Sequence, residues 1–120
     1  MTHKILNTKI EGVFELLGEE MSDNRGSFMN LFRSHEKEFE DVWSGRQIAQ
    51  INRSSTKYKG TIRGLHFQRE PFSEAKIVRC LSGKVWDVAV DLRKDSKTFK
   101  EWVSVQLTDK LFNCIVIPEG

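Results

Sequence analysis

Short apolar runs separated by turn residues fill the chain from Gln47 onward: Gln47 to Asn52, Thr61 to Gln68, Lys76 to Leu81, Lys84 to Leu92, Glu101 to Leu107 and Asn113 to Ile117. Each is too short for an amphipathic helix and rich in β-branched or aromatic residues, so the pattern predicts antiparallel strands. Upstream, Ile10 to Leu17 reads as an early strand. Asp23-Asn24-Arg25-Gly26 reads as a turn before a further strand at Ser27 to Phe32, and Ser34 to Phe39 as a short helical turn. The Ser82-Gly83 pair has the composition of a tight hairpin between two runs. In the longest run Trp86, Val88, Val90 and Leu92 alternate with Val85, Asp87, Ala89 and Asp91. One face is wholly apolar. The two aspartates on the other mark either a solvated surface or a polar interior. An all-β sandwich or a small jelly-roll barrel, with a ligand at its mouth, fits this pattern.

Length and charge narrow the classes. A chain of 120 residues is sized for a single domain spanning 1–120, and no repeat, low-complexity tract or Pro/Gly-rich linker divides it. Nineteen basic and seventeen acidic residues give a formal charge of +2 with no long block of one sign, which argues against nucleic acid and membrane surfaces as partners. The two cysteines, Cys80 and Cys114, stand apart in apolar company without CxxC spacing, as reduced thiols of a cytoplasmic protein would. No apolar stretch has the length of a signal peptide or membrane span. The three histidines, His3, His35 and His66, have no metal-ligand spacing, so no metal is expected. Gly-rich phosphate loops and nucleophile elbows are absent as well.

Candidate chemistry concentrates in Arg63-Gly64-Leu65-His66-Phe67-Gln68 and in Lys76, ten residues after the histidine. An imidazole titrating near neutrality can take a proton from carbon, and an arginine and a lysine can hold an anion and the oxyanion that forms. The plainer reading of His66 is a hydrogen-bonded histidine within a strand. Arg63 and His66 have opposite parity in a regular strand, so sharing a site requires a bulge, which Gly64 would supply. Lys76 and Arg79 also have opposite parity, so one of them at most need face the site. Arg25, beside Gly26, suits a phosphate as well as it suits a simple turn. Gln50, Asn52 and Ser54 alternate and offer neutral hydrogen-bonding groups to a polar pocket or to water.

These motifs, followed by Lys76-Ile77-Val78-Arg79-Cys80, Gly83 to Arg93, Ser96-x-Thr98-Phe99 and Ile117-Pro118-Glu119-Gly120, resemble the dTDP-4-dehydrorhamnose 3,5-epimerases in the same order from about Asp23 to Gly120. The resemblance implies a cupin jelly roll, a homodimer, and a cofactor-free, metal-free isomerase of dTDP-rhamnose biosynthesis. Its substrate would be dTDP-4-dehydro-6-deoxyglucose, inverted at the two carbons flanking the ketone. By motif match His66 is the base, Lys76 the group near the enolate, and Arg63 a substrate-holding residue. Arg25 matches a phosphate-binding arginine, Gln50 and Asn52 a nucleotide-pocket pair, and Asp87 a polar site position without an assigned role. Asn30 stands where the family usually has a glutamate. The family's chains continue beyond Pro-Glu-Gly with further strands, a tyrosine acid and an aspartate that orients the base, so the resemblance also implies a C-terminally truncated barrel. Tyr58, the only tyrosine, does not match the acid position. Two alternatives remain open: an impaired cupin that only binds nucleotide sugar or dimerises, and a 3-epimerase or ketoisomerase of a related dTDP-4-keto sugar.

Overall fold

The computed structural model describes residues 3–120. Eight strands and one helix follow in the order β1 (Lys4–Asn7), β2 (Phe14–Leu17), β3 (Met21–Asp23), β4 (Gly26–Phe28), α1 (Lys37–Trp43), β5 (Lys76–Arg79), β6 (Lys84–Val90), β7 (Trp102–Thr108) and β8 (Asn113–Ile117). All pairings are antiparallel, and the all-β reading holds. A four-stranded sheet in the order β1-β2-β8-β5 faces the two-stranded sheet β6-β7, while β3 and β4 form a separate hairpin. Among the described residues this is an open sandwich, without a closed barrel.

Register fixes which side chains meet between the layers. Val78 lies opposite Ile115, and Val85 and Ala89 lie opposite Leu107 and Val103. Val78, Ile115, Ala89, Leu107 and Val103, with Ile10, Val13 and Val105, pack between the two sheets, whereas Val85 near the start of β6 stays exposed. The alternate residues Ile77, Val116, Cys114 and Leu16 cover the other face of the large sheet, where Phe39, Val42 and Trp43 of α1 pack on them. Those three helical residues recur at the spacing of one helix face, which is why α1 forms there. The helix starts at Glu36, whose carboxylate does not cap it. Instead Glu36 Oε1 accepts from the His3 backbone N–H at 2.9 Å and lies 2.9 Å from His3 Nδ1, tying the start of the chain to the helix.

Several expected elements are corrected. The early strand is shorter than Ile10 to Leu17, because Ile10 to Val13 form the β1–β2 turn: Val13 N–H donates to Ile10 C=O at 3.1 Å. Gly12 has φ +87° there, and a Cβ would sit 2.9 Å from Pro118 Cγ. Ser82-Gly83 does not close a hairpin, since β5 pairs with β8 and β6 with β7. The segment instead passes from one sheet to the other, held by Asp109 Oδ2, which accepts from Gly83 N–H at 3.2 Å.

The largest correction concerns Gln47 to Asn52 and Thr61 to Gln68. Neither run is a strand, and every residue from 47 to 72 is exposed. A strand pattern needs a partner edge to become a strand, and this segment meets none among the described residues. It leaves the sandwich as an arm, turns at Tyr58 to Thr61 where Thr61 Oγ1 donates to Tyr58 C=O at 2.7 Å, and returns to β5. The arm enlarges the molecule: its radius of gyration is 15.0 Å, against about 14 Å for a compact chain of this length.

Candidate active site

Lys76 opens β5 opposite Ile117, which packs between the sheets, so its side chain leaves the strand on the interior face. Arg79 takes the other face: its guanidinium donates to Phe112 C=O at 2.9 Å, and burial pulls its pKa down. On β6, Asp87 lies opposite Val105 and shares the interior face with Ala89. The aspartate face of this strand is therefore the inner one. Burial raises the Asp87 carboxyl, and the positive charge of Lys76 pulls it partly back. A cation and a carboxyl from opposing sheets thus share one half-buried interior, where charges interact more strongly than in water.

Asp91, four residues beyond Asp87 on the same side and just past the end of β6, is already committed. Arg93 donates to it at 2.9 Å through Nε, Ser96 at 2.5 Å and Thr98 at 2.7 Å, and these bonds hold its carboxyl far below the usual range. The Ser96-x-Thr98 motif is explained by this cluster, which braces the turn from β6 to β7.

The other candidate residues lie on the arm and the β3–β4 hairpin. His66 is exposed and lies within no strand, so the bulge expected at Gly64 does not occur. Gly64 has φ +101°, and a Cβ there would lie 3.1 Å from His66 Nδ1, so the glycine makes room for the imidazole. Arg63 ties the two limbs of the arm together, donating to Thr56 Oγ1 at 3.3 Å and Ser55 C=O at 3.2 Å. Gln50 and Asn52 are exposed on the outgoing limb. Arg25 is fixed by Asp23 through two charged hydrogen bonds, Nη2 to Oδ2 at 2.7 Å and Nε to Oδ2 at 3.1 Å. The hollow of about 450 Å³ beside it is lined only by residues 21–28 and reaches none of the other candidates. The chain therefore brings Lys76 and Asp87 together and leaves His66, Arg63, Gln50, Asn52 and Arg25 outside the sandwich.

One element of the site's support escaped the sequence reading. Arg46 Nε and Nη2 donate to Glu119 Oε1 and Oε2 at 2.8 and 2.7 Å, and Nη1 donates to Trp43 C=O at 2.7 Å. This paired fork clamps the root of the arm to the end of β8, and the hydrogen bonds hold the Glu119 carboxyl down at about 2. Seventy-three positions separate the partners, so no local pattern reveals them. Among the described residues, no group of three His, Cys, Asp or Glu side chains is placed to hold a metal.

The layered antiparallel fold is that of the cupin-type sugar-nucleotide epimerases. It superposes on the crystal structure of a dTDP-4-dehydrorhamnose 3,5-epimerase from Bacillus anthracis with TDP and PPi bound, with a TM-score of 0.90 and 34% identity over 99% of this chain and 67% of that one. An epimerase from Legionella pneumophila in complex with dTDP-4-keto-L-rhamnose matches with a TM-score of 0.80 and 34% identity over 98% of this chain and 61% of that one. In sequence, the dTDP-4-dehydrorhamnose 3,5-epimerase of Shigella flexneri is 41% identical over 117 residues, 97% of this chain and 63% of its own length. The model of the dTDP-4-dehydrorhamnose 3,5-epimerase family matches residues 7–120. The chain belongs to that family, and it spans about three fifths of the length of the curated relatives it matches.

Proposed function

We propose that the protein epimerises dTDP-4-dehydro-6-deoxyglucose at C3 and C5, giving dTDP-4-dehydrorhamnose, by proton removal beside the C4 ketone. Family membership along nearly the whole chain supports this reading, and the single structural observation that carries it is the inward Lys76 on β5, a cation in a partly dehydrated interior. A proton α to a ketone is accessible to a side-chain base only when the enolate oxygen is stabilised, and a fixed ammonium does this best away from bulk water. His66 takes the proton, Lys76 meets the oxyanion, Arg63 holds the sugar, and a proton delivered from solvent to the opposite face of the enolate restores the ketone with the centre inverted. Arg25 binds the diphosphate, and Gln50 and Asn52 the base of the nucleotide.

The arm supports a homodimer. Ile51, Ile62 and Leu65 are 86, 89 and 76% exposed on it, and covering each is worth about 1.5–3 kcal/mol. A second copy that receives the arm against a sheet edge would satisfy its backbone and its apolar side chains together, and would carry His66 toward an interior. Sedimentation velocity should then show a dimer at micromolar concentration; a monomer at all concentrations contradicts it. The same reading assigns the protein to the cytoplasm, in keeping with two free buried thiols.

The reaction is tested by incubating protein and dTDP-4-dehydro-6-deoxyglucose in deuterated water. Deuterium should enter at C3 and C5, and His66→Ala should abolish it. Incorporation at C3 alone makes the protein a 3-epimerase, and no incorporation with the sugar nucleotide still bound leaves a binding protein.

A further inference from the structure

An antiparallel strand with one buried face ordinarily turns its apolar side to the core and its polar side to water. β6 does the reverse. Its aspartate side faces the large sheet, so Trp86, Val88 and Val90, the apolar side, point away from the sandwich. Trp102 of β7 joins them, directly opposite Val90. Trp86 and Trp102 are 64 and 51% exposed, and Leu92, just past the strand, is 40% exposed. The two tryptophans stand four residues apart along the ladder, about 13 Å at the usual rise, yet their rings meet edge to face with centroids 6.3 Å apart. They lean toward each other across the Val88–Ser104 pair and make one aromatic slab on the outside of the sheet.

We propose that this outer face of β6–β7 is an interface between two copies of the chain, packed face to face about a two-fold axis. The pairing rests on the homodimer reading above but uses a surface that reading leaves bare. Charge selects the occupant. Among the described residues Lys84, at one end of the face, is the only charged side chain at an outward position of either strand, and Ser104 and Gln106 are neutral. A polyanion or an anionic lipid surface would need several cations here, whereas a two-fold contact needs a surface that does not repel its own copy. Area agrees. Large aromatic side chains bury about 150–250 Å² each, so the exposed parts of the two tryptophans offer roughly 170–290 Å² per copy and twice that in a two-fold contact. That is about a third to a half of the roughly 1,200 Å² of a stable specific interface, and Val88, Val90, Leu92 and the apolar side chains of the arm are available for the remainder.

The test is sedimentation velocity over a dilution series of the wild-type chain, Trp86→Ser, Trp102→Ser and Ile51→Ser, with acrylamide quenching of tryptophan fluorescence at the same concentrations. Quenching of the wild type should fall as the dimer forms. Trp43 is already buried in α1, so the change reports Trp86 and Trp102. Each tryptophan variant should raise the Kd of the dimer at least about tenfold, as loss of a central aromatic anchor does, while the urea midpoint of the monomer stays put. The quenching of the wild type decides the matter even if a variant fails to fold. Tryptophans as accessible in the dimer as in the monomer, or a dimer unchanged in both tryptophan variants, overturn the proposal. If Ile51→Ser alone dissociates, the homodimer reading stands with its interface on the arm, and this face is free. A wild-type monomer at every concentration refutes both. A dimer that needs the tryptophans in a chain that exchanges no deuterium into the sugar refutes the epimerase reading and keeps the interface.

Discussion

The sandwich and the arm carry the two halves of one proposed chemistry under opposite physical conditions. Lys76 and Asp87 sit on strands whose register is dictated by buried neighbours, so their directions are set before any ligand arrives. His66, Arg63, Gln50 and Asn52 sit on a segment in which every residue is exposed, with Arg63 bracing its two limbs and Arg46–Glu119 clamping its root. The lesson is that the half of the site proposed to stabilise the oxyanion is oriented by the fold, whereas the half proposed to take the proton lies on an arm that the sandwich does not bury. Residues close in sequence, such as His66 and Lys76, are organised by different surfaces.

This contrast can be broken at several points. The largest effect is expected in the shared core: Ile115 is fully buried between the sheets, and Ile115→Ala should cost about 2–5 kcal/mol of unfolding free energy in urea. A cost below 1 kcal/mol would mean that the interior is looser than its packing indicates. Next is Asn113, also fully buried, which donates to Glu15 Oε1 at 2.8 Å and Gln106 C=O at 2.9 Å while accepting from Thr108 N–H at 3.2 Å. It welds β2, β7 and β8, and Asn113→Ala should cost about 1–3 kcal/mol through the groups it leaves unpaired.

The arm's root gives a smaller, pH-dependent effect. The Glu119 carboxyl is lowered from its ordinary 4.5 to about 2 by Arg46, so the pair's contribution is complete above about pH 4.5 and is lost as the pH falls toward 2. Both side chains remain partly exposed, 27 and 39%, which limits the contribution to about 1 kcal/mol. Urea midpoints measured at pH 6 and pH 3 should converge for wild type and Glu119→Gln at the lower pH; equal midpoints at pH 6 would remove the clamp. Smallest of all for the isolated chain is Ile51→Ser on the arm, expected within about 0.5 kcal/mol. The same substitution should weaken the dimer in sedimentation, and an unchanged dimer would place the interface elsewhere.

The same contrast explains what the sequence made legible. Strands β5 to β8 stand out because their alternation reports burial that the chain itself supplies, and β6 showed its two faces before the structure decided which was inner. Gln47 to Asn52 and Thr61 to Gln68 carry an equally good strand pattern, yet such a pattern reports a need for burial without naming the surface that meets it. β1 went unread because four residues, two of them apolar, carry too little periodicity. The helix was begun too early and ended at Phe39, where the stripe of Phe39, Val42 and Trp43 continues to Trp43. Ser82-Gly83 misled because turn composition does not say whether the chain doubles back or crosses between layers. At the site, parity separated Lys76 from Arg79, but the pairing of Lys76 with Asp87 depends on two sheets meeting, and the arm's clamp on a contact spanning most of the chain.

The measurement that tests the account most directly is deuterium wash-in to dTDP-4-dehydro-6-deoxyglucose across a dilution series of the wild-type chain, with sedimentation at the same concentrations and His66→Ala as control. Exchange per chain that depends on His66 and falls as the dimer dissociates is the predicted result, because dilution uncovers the arm while leaving the interior of the sandwich intact. Exchange that persists unchanged in the monomer, or that survives the loss of His66, would contradict a site assembled from a prebuilt interior and a covered arm.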